Sequence, residues 1–153
     1  MRRHERECND KSFLTGQLQR AEVMTLAFQT GTFPYVIPVN FVYLNGAVYI
    51  HCATEGRKLD CLKDASGIGF SVYELLEIDR TEATSRYTSL YGEGHAAPVE
   101  DSEEKQAALA ALARKYRSCC TLPVPADMLE KTAVVRIDIV SLTGKENLPV
   151  RND

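Results

Sequence analysis

The sequence predicts an antiparallel α+β or β-barrel fold rather than a doubly wound α/β sheet. Three observations point there. Apolar runs joined by tight-turn signals recur along the chain. The helical patterns are few, short and segregated from those runs. No βαβ unit repeats. The count comes to about six strands and two or three short helices.

Residues 1–9 form a charged lead-in. Asn9 or Asp10 can cap a helix over Lys11 to Arg20, with Phe13, Leu14 and Leu18 on one face, although Thr15-Gly16 weakens it. Glu22 to Gln29 (EVMTLAFQ) is β-branched and aromatic enough to read as a strand, closed by Thr30-Gly31-Thr32. Tyr35 to Lys63 then carries two apolar runs around Asn45-Gly46. Val36, Val39, Phe41 and Val42 lie in the first run, and Val48, Tyr49 and Ile50 in the second. Asn-Gly suits a two-residue type I′ turn because both positions need φ > 0, so the runs are expected to form one hairpin. Pro34 and Pro38 cannot donate to a ladder. The first run is therefore expected at a sheet edge, bulged, or facing a ligand at Pro38.

A short helix is expected from Gly56 to about Asp64. Ile68 to Leu76 reads as a strand with Phe70, Val72 and Leu75 or Leu76 inward, and Glu77 to Ala83 as a polar loop. Arg86 to Val99 is a long extended stretch. Gly92 and Gly94 share one face of it, which invites a bulge, a close chain crossing or a flat ligand. The clearest helix opens at Ser102, expected as its cap, with Glu103 and Glu104 at the positive end of the dipole. Its alanines give propensity, Leu109 and Leu112 an apolar stripe, and Arg114, Lys115 and Arg117 suit its negative end. Ser118 to Asp127 reads as a loop, with Cys119-Cys120 incidental within it. Thr132 to Leu142 alternates as a half-buried strand, and Thr143-Gly144-Lys145 closes the fold.

The length suits one domain over residues 1–153. There are 18 basic and 21 acidic residues, a net charge of −3, which argues against a non-specific nucleic-acid binder. The N-terminus MRRHERECND lacks an apolar signal-peptide core, and no run approaches the roughly 18 apolar residues of a membrane span. A cytoplasmic protein is expected. The five cysteines show no CxxC spacing. They are expected as free thiols, with no metal site.

The sharpest chemical feature is Thr54-Glu55-Gly56-Arg57-Lys58, which leaves the second hairpin run and starts a helix. Two cations at a helix N-terminus oppose the macrodipole. A bound anion would reverse that penalty, since backbone N–H groups, dipole and both cations would converge on it. The alternative is a pair of solvated surface residues.

With these elements placed, the chain resembles the pyridoxamine 5′-phosphate oxidase-like flavin-binding split barrels, and within them the nitroimidazole-resistance branch. YVIPVNFVY, YIHCATEGRKLDCL, RYTSLYGEGHA and VVRIDIVSLTGK carry the likeness, in order, over roughly residues 2–145. The resemblance implies a mainly β, six-stranded antiparallel split barrel with a few short flanking helices. It also implies a homodimer with FMN at the subunit interface; FAD is the alternative cofactor, its adenylate projecting from an open interface. Arg57 and Lys58 would grip the flavin phosphate, with Glu55-Gly56 giving close backbone approach. Pro38, Val39, Asn40 and Phe41 would line the isoalloxazine ring, and His51, Cys52 and Ala53 the ribityl chain and ring edge. Ser89, Tyr91 and Gly92 of the partner subunit would close the pocket.

His51 then has two readings, as a proton donor to a reduced substrate or as a ligand ordering the phosphate and ribityl hydroxyls. Cys52 is either a redox thiol or, more simply, a small buried strand residue. The reaction implied is reduction of an electron-poor acceptor such as a nitroimidazole. NAD(P)H is the plausible donor, although no Gly-x-Gly-x-x-Gly fingerprint is present. The other readings are a flavin-binding protein without turnover and a haem- or vitamin B6-linked relative, including an oxidase of unknown substrate. Oxidation of pyridoxamine phosphate itself fits poorly, since the tail LPVRND lacks a basic substrate-binding segment.

Overall fold

A computed structural model describes residues 4–64, 67–116 and 123–148. Helix α1 (Lys11–Arg20) is capped by Asp10, whose carboxylate accepts from the Ser12 and Phe13 N–H groups at 2.9 and 3.1 Å. The strands are β1 (Val23–Phe28), β2 (Tyr35–Asn40), β3 (Val42–Leu44), β4 (Ala47–Ala53), β5 (Gly67–Asp79), β6 (Thr84–Pro98) and β7 (Thr132–Asn147). Helix α2 (Arg57–Asp64) follows β4, while α3 (Ser102–Lys115) and α4 (Ala126–Lys131) lie between β6 and β7. The strands form one antiparallel sheet in the order β2-β1-β5-β6-β7-β4-β3. Among the described residues no helix is long and apolar enough to cross a membrane.

The expected fold class holds, with seven strands in place of six. The extra strand comes from splitting the first hairpin run. Only Val42–Leu44 pairs with Ala47–Tyr49, around Asn45 (φ 51°) and Gly46 (φ 88°), as the type I′ turn requires. Tyr35–Asn40 pairs instead with β1, at the opposite edge of the sheet. Phe41 alone separates β2 from β3, so the two edges must come together there and the sheet curls into a split barrel. Pro38 sits on an edge strand, one of the places in a sheet where a residue that cannot donate to a ladder is tolerated.

The barrel interior holds Met24, Leu26, Phe41, Val48, Ile50, Phe70, Val72, Leu90, Val135 and Ile137, with Leu18 of α1 as a plug. Leu59 and Leu62 of α2 pack against it. A second cluster lies outside the barrel wall, where Ala108, Ala111 and Leu112 of α3 cover Val42, Tyr49 and Val134. A polar clasp joins the same surfaces. The Tyr49 hydroxyl donates to Glu104 at 2.7 Å, and Arg136 donates to the same carboxylate oxygen at 3.0 Å. Burial, and then the Glu104 carboxylate, push the Tyr49 pKa up to about 12. β4 is thus covered on both faces, and its residues alternate between the barrel and the helix.

Five local expectations are corrected. Asp101, not Ser102, caps α3, accepting from the Glu104 N–H at 2.7 Å. Leu75 and Leu76 are both about half exposed, because a bulge between Leu75 and Glu77 falls where β5 runs beyond the core. β5 continues to Asp79, so the loop is only the turn at 80–83, clasped by Arg86 to Asp79 (3.0 Å) and Glu82. α4 occupies the end of the expected 118–127 loop, and β7 runs through Gly144 to Asn147. Gly92 meets the close-crossing expectation: a Cβ there would overlap the Phe70 ring. Gly94 adjoins a bulge between β6 and β7. Cys119 and Cys120 lie outside the described residues.

Candidate functional site

The site grows from the end of β4. His51 pairs with Val134 and shares a strand face with Tyr49, whereas Cys52 has the parity of the barrel-facing Val48 and Ile50. Ala53, Glu55 and Gly56 are exposed in the turn that follows. Gly56 takes φ 129°, a conformation a side chain would strain. Its carbonyl accepts the first helical bonds of α2, from the Leu59 and Asp60 N–H groups at 2.9 and 3.1 Å. Arg57 and Lys58 therefore occupy the first turn, where backbone N–H groups have no helical partner.

Among the described residues neither cation has a carboxylate partner. The Arg57 guanidinium lies 4.3 Å from the centroid of the Tyr35 ring, which stacks on Phe28 at 5.8 Å. Lys58 acts on the strand end. Burial first, and then the Lys58 charge, hold the His51 pKa below its ordinary value. The imidazole is thus neutral at pH 7, and among the described residues it has no hydrogen-bond partner. Burial raises the Cys52 pKa against a smaller opposing pull from Lys58, so its thiol stays protonated. That argues against a redox role.

β2 alternates past the same region. Pro38 and Asn40 face out, Val39 packs against the core, and Phe41 is fully buried. Tyr116, just after α3, holds this bend. The Phe41 N–H donates to its hydroxyl at 2.9 Å, and the hydroxyl donates to the Glu22 carbonyl (2.6 Å) with the Phe41 carbonyl at 2.9 Å. Lys115 Nζ sits 3.9 Å from the centroid of the Phe41 ring, and among the described residues it has no hydrogen-bond acceptor.

Ser89 and Tyr91 stand on the outer face of β6, beside Tyr73, Thr143 and Lys145, in a depression of about 280 Å³. Tyr91 pairs with Thr143 and His51 with Val134, about 30 Å apart along β7. Within one chain the structure therefore gathers Asn40, His51, Ala53, Gly56, Arg57 and Lys58 but does not bring Ser89, Tyr91 or Gly92 to them.

Two concavities adjoin the gathered residues. A cleft of about 770 Å³ runs along α2 past Thr54, Gly56, Lys63, Pro98 and Lys105. A slot of about 300 Å³ opens between α3 and α4, with Asn40, His51 and Thr132 beside Leu109, Leu112, Ala113, Tyr116, Val124 and Met128. Sequence reasoning missed this slot, Tyr116 and Lys115. Their only sequence signal was a tyrosine and a lysine closing a helix, which says nothing of what they meet.

A family model described as pyridoxamine 5′-phosphate oxidase matches residues 15–146. The chain belongs to this family. Similar solved structures fit that membership. A candidate 5-nitroimidazole antibiotic resistance protein from Bacteroides thetaiotaomicron superposes with a TM-score of 0.81 at 23% identity, over 91% of this chain and 85% of that one. The flavocytochrome Anf3 of Azotobacter vinelandii gives 0.81 at 21% identity, over 97% and 72%. The FAD- and haem-binding protein of Mycobacterium smegmatis gives 0.81 at 19%, over 97% and 76%. At these identities the likeness is one of fold. A search of curated protein sequences gave no significant match. For this family member, the residues around α2 carry the functional argument.

Proposed function

We propose that this protein binds FMN and reduces electron-poor acceptors such as nitroaromatic compounds. The observation that carries the reading is the first turn of α2, where two cations that have no carboxylate partner among the described residues and a glycine at φ 129° stand beside a neutral histidine. That donor set fits a flavin phosphate: the dipole, the free N–H groups and Arg57 and Lys58 all favour an oxyanion. The names of structural relatives, a flavocytochrome and an FAD- and haem-binding protein, favour a flavin over an unrelated phosphate ester. FAD would use the same grip.

When bound, the flavin would supply hydride or electron transfer, and the chain supplies binding, orientation and proton control. Arg57 and Lys58 anchor the phosphate. Asn40, Ala53 and the exposed side of β2 orient the ring, and His51 holds an imidazole N–H at the mouth of the slot, where it can hydrogen-bond an acceptor oxygen and pass a proton. Ser89, Tyr91 and Gly92 enter from a partner subunit in a homodimer, which agrees with their distance from His51 in one chain. NAD(P)H is the proposed electron donor.

The test is a visible spectrum of the purified protein with FMN, then NADPH, then a nitroimidazole. A flavin band bleached by NADPH and restored by the nitro compound is the expected result. A band untouched by nicotinamide would indicate a binding protein. Arg57→Ala with Lys58→Ala is expected to yield folded protein without flavin. Two charge-assisted hydrogen bonds at about 1.5–3 kcal/mol each amount to a hundredfold or more in affinity. A fully flavinated double variant would refute the phosphate assignment.

A further inference from the structure

We propose that Tyr35 is a positioning residue for the flavin phosphate: its ring holds the Arg57 guanidinium ready, and so strengthens the grip on the phosphate and on no other part of the flavin. This rests on the functional reading above and adds to it a residue which that reading does not use.

Three observations carry it. First, the Arg57 guanidinium carbon lies 4.3 Å from the centroid of the Tyr35 ring, inside the roughly 6 Å at which an aromatic face attracts a cation. Second, the ring is itself held in place. Tyr35 pairs with Phe28 across β1 and β2, and the two rings stack at 5.8 Å with 25° between their planes. Phe28 is buried, and Tyr35 shares with Ile37 and Val39 the face of β2 that packs against the barrel interior. Third, Arg57 is the exposed first residue of α2. Helical side chains lean toward the N-terminus over the preceding turn, and at the first position there is no such turn to lean on.

These facts give the ring a task. A long side chain left loose at a helix start loses its rotamer freedom when it closes on an anion. A ring that restrains it beforehand removes that loss from the binding step. Contact over a ring face also consumes no hydrogen bond, so the guanidinium N–H groups stay available to the oxygens of a phosphate. A carboxylate in the same place would occupy part of that fork and cancel its charge. Tyr35 and Pro38 lie on the same strand. One edge strand then serves both ends of the flavin, with Pro38 and Asn40 at the isoalloxazine ring and Tyr35 behind the phosphate.

The experiment compares FMN with riboflavin, which has the same ring system and ribityl chain but no phosphate. Both are titrated into the full chain by quenching of flavin fluorescence. Tyr35→Leu and Tyr35→Met each remove the aromatic face and keep an apolar side chain, so the test stands if one of them fails to fold. Tyr35→Phe keeps the face and loses the hydroxyl. We expect FMN to bind the Leu and Met variants at least about threefold more weakly, the effect of a lost cation–π contact. Riboflavin should bind them as it binds the parent protein, and Tyr35→Phe should behave as the parent with both ligands. In an Arg57→Ala background, Tyr35→Leu should cost FMN nothing further. An equal loss for both ligands would show a ring that merely supports β2. Tighter FMN binding would show a ring that holds Arg57 away from the phosphate. A full additional loss in Arg57→Ala would show that Tyr35 acts by another route. Each of these overturns the proposal. An Arg57→Ala protein that keeps its whole preference for FMN over riboflavin would sink the phosphate reading and the role of Tyr35 with it. A preference lost in Arg57→Ala but kept in the Leu and Met variants would sink the role of Tyr35 alone.

Discussion

Lys115 shows how a single residue can work against the fold it sits in. Its Nζ is buried over Phe41 with no acceptor among the described residues, and desolvation pushes its pKa down to about 8, against a weaker opposing pull from Glu22. The unfolded chain keeps the proton up to the ordinary value of 10.5. Below about pH 8 both states are charged and the penalty is complete. From 8 to 10.5 the unfolded state binds more protons, so stability rises with pH across that window. Solvent reaching the stem reduces the penalty, and the aromatic face offsets part of it, leaving about 1 kcal/mol. Lys115→Met is expected to raise urea-unfolding stability by that amount at pH 7, and the gap to the parent protein should close by pH 10.5. A gap that is constant with pH would mean the lysine is not desolvated in solution.

The decisive device among the elements is the passage from β2 to β3. One residue carries the chain from one edge of the sheet to the other, and Phe41 turns its backbone groups to Tyr116 while doing so. The helix closing the slot and the bend closing the barrel are therefore the same fastening. Tyr116→Phe removes the hydroxyl and leaves a part-buried N–H and a carbonyl unpaired, at about 1–3 kcal/mol for the former hydrogen bonds. Chemical denaturation should show a loss of about 2 kcal/mol with an unchanged denaturant slope. An unchanged midpoint would show that water replaces the hydroxyl and that the bend does not depend on α3.

For the whole molecule, the outer face of β5, β6 and β7 is the conspicuous surface. Tyr73 (59% exposed), Ile78 (60%), Tyr91 (53%) and Val140 (65%) stand on it, with Leu75 and Leu76 nearby. Val140 is lifted out at the bulge between β6 and β7. Patches of this kind mark association surfaces. The face also carries Ser89 and Tyr91, the residues expected to complete a neighbouring subunit's site. For the proposed flavin-bound homodimer, Tyr73→Glu with Val140→Lys is expected to give a monomer on size-exclusion chromatography with light scattering, and to lower flavin content with it. A variant that stays dimeric would place the interface elsewhere.

The sequence by itself determined what depends on near neighbours. Asn45-Gly46 names its turn through φ > 0, Asn9 or Asp10 and the following pattern name α1, Pro38 restricts its strand to an edge, a bulge or a ligand-facing position, and Arg57-Lys58 mark a helix start suited to an anion. Each works within a few residues, where backbone sterics, caps and periodicity act. Tertiary structure alone decided that the run from Tyr35 to Leu44 would break at Phe41, that Phe70 would occupy the space above Gly92, and that α3 and α4 would leave a slot beside His51. These depend on partners far apart in sequence, such as Tyr116 and Phe41 at a separation of 75 residues. No local preference encodes such a pairing. It is selected by the simultaneous burial of both sheet faces and the satisfaction of the backbone groups that closure exposes.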